Sequence, residues 1–131
     1  MAELQDKINM VKEFHEKFKI LLNDHPTSDI QEPLYLLRHR LMQEENDEYL
    51  EACKNGDLTE IADALGDKLY ILFGTIITHG LQHKIEEIFD EIQRSNMSKL
   101  DENGNPVYRE DGKIMKSTLY FKPDIRKILN S

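Results

Sequence analysis

The residues best equipped for chemistry are two short acidic groups, Glu44-Glu45-Asn46-Asp47-Glu48 and Glu60-Ile61-Ala62-Asp63, with Asp67 one turn beyond the second. Each group lies inside a stretch that otherwise reads as buried helix. On a helix, spacings of three or four bring side chains to one surface. Glu45 and Glu48 therefore stand side by side with Glu44 flanking, while Glu60, Asp63 and Asp67 form a line that Tyr70 and Gly74 continue. The first group also extends the apolar stripe of Leu34, Leu37, Leu41 and Ala52. Carboxylates so placed repel one another and are costly to desolvate unless a cation offsets the loss. Oxygen-only ligands in this number suit Mg²⁺ or Mn²⁺, hard ions that keep waters and share phosphate oxygens.

Two blander readings compete. An acidic run is commonly a solvated helix face, and Asp57-Leu58-Thr59-Glu60 fits a capping box that gives Glu60 a structural task. Asp63 and Asp67 resist both, since apolar residues surround them and neither is near a helix start.

The elements that must position these acids follow from periodicity. Leu4, Ile8, Val11, Phe14 or His15, Phe18 and Leu21 or Leu22 recur at helical spacing, predicting an amphipathic helix from Ala2 to about Leu22. Asn23 to Glu32 reads as a loop, and Pro33 fits the first turn of a second helix ending at Asn55-Gly56. A third helix runs from Asp57 to about Thr78, stopped by His79-Gly80. Its second half is apolar on nearly every side and is expected at the centre of the core. The short turn between these two helices makes them antiparallel neighbours whose acids can face each other. A fourth helix, about Leu81 to Met97, places Ile85, Ile88, Phe89 and Ile92 on one face.

Beyond residue 100 the chain is rich in turn formers. Val107-Tyr108 and Ile114-Met115 flank Asp111-Gly112 as a short β-hairpin, and Pro123 opens a last helical turn or two through Leu129. Asp101-Glu102-Asn103-Gly104-Asn105 is a turn; as an EF-hand loop it would need Gly and Glu where Pro106 and Gly112 stand. The expected fold is all-α, a bundle of four to five helices over residues 1–100 with a C-terminal arm over 101–131, in a single domain of 131 residues.

The first motif, the second, and their flanks Leu37-Arg38-His39-Arg40-Leu41-Met42 and Ala64-Leu65-Gly66-Asp67-Lys68-Leu69-Tyr70 resemble the EExxE and ExxD pattern of the all-α nucleoside triphosphate pyrophosphohydrolases. That superfamily includes MazG, the dimeric dUTPases and phosphoribosyl-ATP pyrophosphohydrolase. The resemblance spans residues 34–80 and extends loosely through Arg94-Ser95-Asn96-Met97-Ser98-Lys99 to Tyr120-Phe121-Lys122-Pro123-Asp124. It implies a MazG-like bundle in which Glu45, Glu48, Glu60 and Asp63 hold Mg²⁺, or Mn²⁺, with Glu44 as an auxiliary acid. A second register, aligning Ala64-Leu65-Gly66-Asp67 with a Glu-Leu-Gly-Asp string, makes Asp67 the ligand. The first keeps both acids of the motif and is preferred. Arg94, Asn96, Lys99, Lys116 and Tyr120 are candidates for binding the substrate's phosphates or base; a solubilising helix end is the competing reading for the cations. Relatives assemble as dimers or tetramers.

Composition narrows the partners. A formal net charge of −8, with 39% hydrophobic and 32% charged residues, argues against nonspecific binding to nucleic acid or anionic membrane. The N-terminus shows neither the basic start nor the apolar run expected of a signal peptide, and the longest apolar stretch is too short to cross a bilayer. One cysteine, Cys53, excludes an intramolecular disulfide and a multi-cysteine zinc site. It is expected buried or half-buried on its helix, in a reducing, cytoplasmic setting. The histidines take ordinary surface or core roles. The resemblance implies, and these features allow, a metal-dependent enzyme that converts a nucleoside triphosphate, with deoxynucleotides such as dUTP foremost, to monophosphate and pyrophosphate, acting as a homodimer or homotetramer. The alternative is a non-catalytic helical dimer that binds a nucleotide or a protein partner.

Overall fold

The computed structural model describes residues 3–131, so the expected helix start at Ala2 lies outside the described residues. The element order is α1 (Glu3–Lys17), α2 (Glu32–Lys54), α3 (Leu58–Thr78), α4 (Ile85–Met97), β1 (Val107–Tyr108), β2 (Ile114–Met115) and α5 (Ile125–Leu129). The fold is all-α with one two-stranded sheet, and the chain divides into two compact units, Met1–Gln82 and His83–Ser131.

In the first unit, α2 and α3 form the main pair. Arg38 reaches Ile71 and Thr75, and Lys68 reaches Asn46, so partners climb along one helix as they descend the other. That is the antiparallel arrangement the short turn requires. The turn closes α2 with Gly56 in the left-handed region (φ 61°), the Gly56 N–H bonding to the Cys53 carbonyl and the Asp57 N–H to Ala52. These two bonds define a Schellman cap. Asp57 then caps α3 by accepting from the Glu60 N–H at 3.1 Å. The reciprocal half of the capping box is absent, because the Asp57 N–H is already committed to Ala52. The Glu60 carboxylate is thereby left without that structural task.

Helix α1 stops at Lys17, five residues before the expected end. Lys19 adopts φ 57° and the Ile20 N–H bonds back to the His15 carbonyl at 2.8 Å, a Schellman closure on a residue that is not glycine. Of the alternatives Phe14 and His15, the structure buries His15, together with Ile8 and Val11. The expected start of α4 at Leu81 is also displaced, to Ile85. Gly80 and Leu81 complete the cap of α3, and Gln82 bonds to Asn23 and Gln5 instead of continuing a helix.

Two expectations are corrected. Cys53 is exposed, since the core side of its turn belongs to Ala52. The second half of α3 meets its expectation only in part: it packs between α1 and α2 and buries Gly74, Ile77 and Thr78, but Leu65 and Leu69, each 50% exposed, occupy an open third side.

In the second unit, α4 carries the C-terminal arm. Ser95 donates to the Phe121 carbonyl, Ser117 donates to the carbonyls of Ser98 and Leu100, and the Phe121 N–H donates to Ser98 Oγ. Strands β1 and β2 pair antiparallel, Val107 with Met115 and Tyr108 with Ile114. Asp101 Oδ1 accepts from the N–H groups of Asn103 and Asn105, an ordinary turn. Asp124 caps α5. Among the described residues no helix is long and apolar enough to cross a membrane.

Candidate functional site

Glu45 lies on the side of α2 that faces α3, one heptad after the buried Arg38 and one before the buried Ala52. Its Oε2 is buried without any hydrogen-bond partner. Its carboxyl is pushed up to about 7, first by burial, then by its hydrogen bond to and charge repulsion from Glu48, and further by the charges of Asp67 and Asp63. Four predicted acids, Glu45, Glu48, Asp63 and Asp67, therefore share one electrostatic environment across the two helices. Asp67 acts on Glu45 more strongly than Asp63 does, so the acid of either register lies within electrostatic reach of Glu45.

No lysine, arginine or histidine forms an ion pair with these acids among the described residues. Lys68, the cation closest in sequence, donates to Asn46 Oδ1 at 2.7 Å. Glu48, Glu60, Asp63 and Asp67 are exposed, and no three described His, Cys, Asp or Glu side chains converge as a ready ligand group. A cleft of about 400 Å³ opens beside them, lined by Glu48, Glu51, Asn55, Asp57, Glu60 and Asp63. Glu60 thus belongs to the same acidic mouth. Glu44 is exposed and does not line the cleft. A buried acceptor with no donor, among carboxylates lacking basic partners, fits a hard divalent cation: its charge would satisfy Glu45 and cancel the repulsion.

The sequence reading missed the apparatus that holds α1 against this pair. Arg38 is 8% exposed and His15 2%. Arg38 donates from Nε to Thr75 Oγ1 at 3.1 Å and from Nη2 to the Ile71 carbonyl at 2.9 Å. His15 Nδ1 lies 3.2 Å from the Leu21 carbonyl, which makes Nδ1 the protonated nitrogen. Both side chains press on Gly74, where a Cβ would stand 2.6 Å from Arg38 Nη2 and 2.7 Å from His15 Nε2. Burial depresses the His15 imidazole below its ordinary value; the bond to Leu21 opposes this and the Arg38 charge adds to it. The only available signal was Gly74 on the acidic line of α3, where helix propensity would favour another residue.

The remaining candidates lie in the second unit. Arg94 is bidentate to Glu91, at 2.8 and 3.0 Å, and its guanidinium sits 4.4 Å from the Phe121 ring centroid. Lys116 Nζ lies 4.7 Å from the centroid of Tyr120. Asn96 is exposed and Lys99 half-buried at the end of α4.

Fold and site define a class: a helical bundle whose antiparallel central pair carries unpaired carboxylates. The family model described as phosphoribosyl-ATP pyrophosphohydrolase matches residues 11–96, and the chain belongs to that family, within the MazG-like pyrophosphohydrolase superfamily. No curated protein matches the chain. Membership supports a nucleotide pyrophosphohydrolase in general terms.

Proposed function

We propose that the protein hydrolyses a nucleoside triphosphate, with deoxynucleotides such as dUTP foremost, to the monophosphate and pyrophosphate. The observation that carries this reading is Glu45, whose buried, unpartnered oxygen stands among Glu48, Asp63 and Asp67. Such a cluster repels a polyphosphate on its own, so a cation has to mediate. We assign Mg²⁺, with Mn²⁺ as a substitute, to Glu45, Glu48, Glu60, Asp63 and Asp67. When bound, the ion supplies the positive charge that neutralises phosphate oxygens as charge develops in the transition state.

The chain's own groups do the rest. Glu45 and Glu48 from α2, with Glu60, Asp63 and Asp67 from α3, would hold the ion and only through it the phosphate end of the substrate. Glu44 orients a water and accepts its proton as the water oxygen bonds to the α-phosphorus. The bond from that phosphorus to the bridging oxygen breaks, and pyrophosphate leaves. Arg94, Asn96, Lys99, Lys116 and Tyr120 remain candidates for contacts to phosphates or base. The exposed Leu65, Leu69 and Leu72 favour a homodimer or homotetramer that covers them. The exposed free thiol of Cys53 suits a reducing cytoplasm.

The test is pyrophosphate release from a panel of ribo- and deoxynucleoside triphosphates with Mg²⁺ or Mn²⁺. Release from at least one nucleotide, dependent on the metal, is expected. No release from any nucleotide by folded protein with either metal would overturn the proposal and favour a non-catalytic nucleotide- or protein-binding dimer.

A further inference from the structure

Helix α1 makes a choice that burial alone does not select. It turns the imidazole of His15 into the interior and leaves the neighbouring Phe14 and, one turn on, Phe18 facing outward, Phe18 at 66% exposure. Apolar rings ordinarily win that competition. The two outward rings are stacked, 4.3 Å between centroids and 29° between planes, and Phe14 meets Tyr70 of α3 edge-on at 5.6 Å and 90°. Tyr70 is itself exposed.

Tyr70 also ties this aromatic group to the acids. It follows Asp67 by three residues and Asp63 by seven, on one face of α3. At 1.5 Å per residue its root lies about 4.5 Å along the axis from Asp67. A second exposed stripe of α3, Leu65, Leu69 and Leu72 at spacings of four and three, lies on a different face and is purely aliphatic. That stripe has the chemistry of a protein contact. The aromatic one offers flat faces continuous with a phosphate site.

We infer that Phe14, Phe18 and Tyr70 form the seat on which the substrate's base stacks, so that base binding comes from the unit that carries the acids. The inference rests on the pyrophosphohydrolase reading for the identity of the ligand. Aromatic faces accept any base, so the seat supplies affinity for a nucleobase as such, and the choice among bases falls to edge contacts elsewhere. In the arm, Phe121 and Tyr120 lie under the side chains of Arg94 and Lys116, and Tyr108 is exposed in the hairpin.

The experiment compares, by calorimetry in Mg²⁺, the affinity of the intact chain for dUTP, dATP and inorganic triphosphate, with steady-state kinetics on whichever nucleotide is hydrolysed. Phe14→Ala/Phe18→Ala should weaken both nucleotides roughly five- to a hundredfold while leaving inorganic triphosphate unchanged. KM should rise with kcat held. Phe18→Tyr should restore binding and Phe121→Ala should leave it alone. Should the double variant unfold, Phe18→Ala alone serves, because that ring is mostly outside the core. Unchanged nucleotide affinity overturns the inference, as does a parallel loss of inorganic triphosphate. A change of oligomeric mass without a change of affinity does so too, since it assigns the rings to a subunit contact. Base-dependent binding that responds to these substitutions without any pyrophosphate release would support the seat while counting against hydrolysis.

Discussion

Glu45 and Gly74 are the residues through which the candidate site is most open to test. The Glu48 carboxyl raises the protonation point of Glu45, so removing either charge relieves repulsion in metal-free protein. Glu48→Gln should abolish pyrophosphate release while leaving thermal stability equal or higher, by about 1 kcal/mol at most once solvent screening is allowed for. Substantial residual turnover in a metal-saturated assay would remove Glu48 from the proposed ligand set. Gly74→Ala acts in the opposite sense. Alanine gains up to about 1 kcal/mol of helix propensity, but the new methyl meets Arg38 and His15, both held by hydrogen bonds. Overpacking costs about 1–3 kcal/mol, so a net loss of about 1–2 kcal/mol is expected in urea denaturation. The acids were legible in the sequence because their spacing alone puts them on shared faces. Arg38 and His15 were not, since their roles depend on three helices meeting at one glycine.

At the scale of elements, the strongest sequence signals concerned helix interiors and glycine stops. Gly56 and Gly80 ended α2 and α3 where expected, and the hairpin formed around Asp111-Gly112. The misplaced ends have a physical cause. Lys19 takes the left-handed cap position that sequence reasoning reserves for glycine, and Gln82 exchanges helical bonds for contacts with Asn23 and Gln5, far away in the chain. The arm depends on one acid in a comparable way. Glu91 accepts from Arg94 and from the Asp124 N–H, where α5 begins. Those bonds, Arg94 first, hold its carboxyl down to about 2 against an ordinary 4.5. A carboxyl depressed in the folded state adds stability that is fully present above its unfolded value and disappears as pH falls through the folded one. Amide exchange in residues 121–129 should therefore accelerate as pH drops from about 4.5 towards 2, beyond the intrinsic pH dependence of exchange. In Glu91→Gln that excess acceleration should be absent and exchange already fast at pH 6. A variant indistinguishable from wild type at both pH values would show that the arm is anchored elsewhere.

The whole molecule carries a net charge of −8 and lines two neighbouring helices with carboxylates, of which Glu45 is the half-buried one, while one side of α3 is left apolar and exposed. The aliphatic stripe makes an association prediction: Leu65→Glu/Leu69→Glu should lower the mass measured by light scattering towards that of a monomer. An unchanged mass would place any subunit contact on another surface. Charge makes the more general prediction. An ion that binds the folded chain and not the unfolded one stabilises it by RT ln(1 + [L]/Kd), about 2.7 kcal/mol at a hundredfold excess over Kd. Nonspecific screening of a surplus of negative charge also stabilises, but it follows ionic strength and is largely complete at a few tenths molar salt. Site binding and screening therefore separate cleanly. Addition of a few millimolar MgCl₂ in 0.2 M NaCl should raise Tm by several degrees in wild type, and an equal increment of ionic strength as NaCl should leave it nearly still. In Glu45→Gln/Glu48→Gln the magnesium increment should vanish although the net charge is less negative. If magnesium and sodium chloride act alike at matched ionic strength, or if the double variant keeps the full increment, the acids of α2 are a solvated helix face and the metal-dependent reading fails.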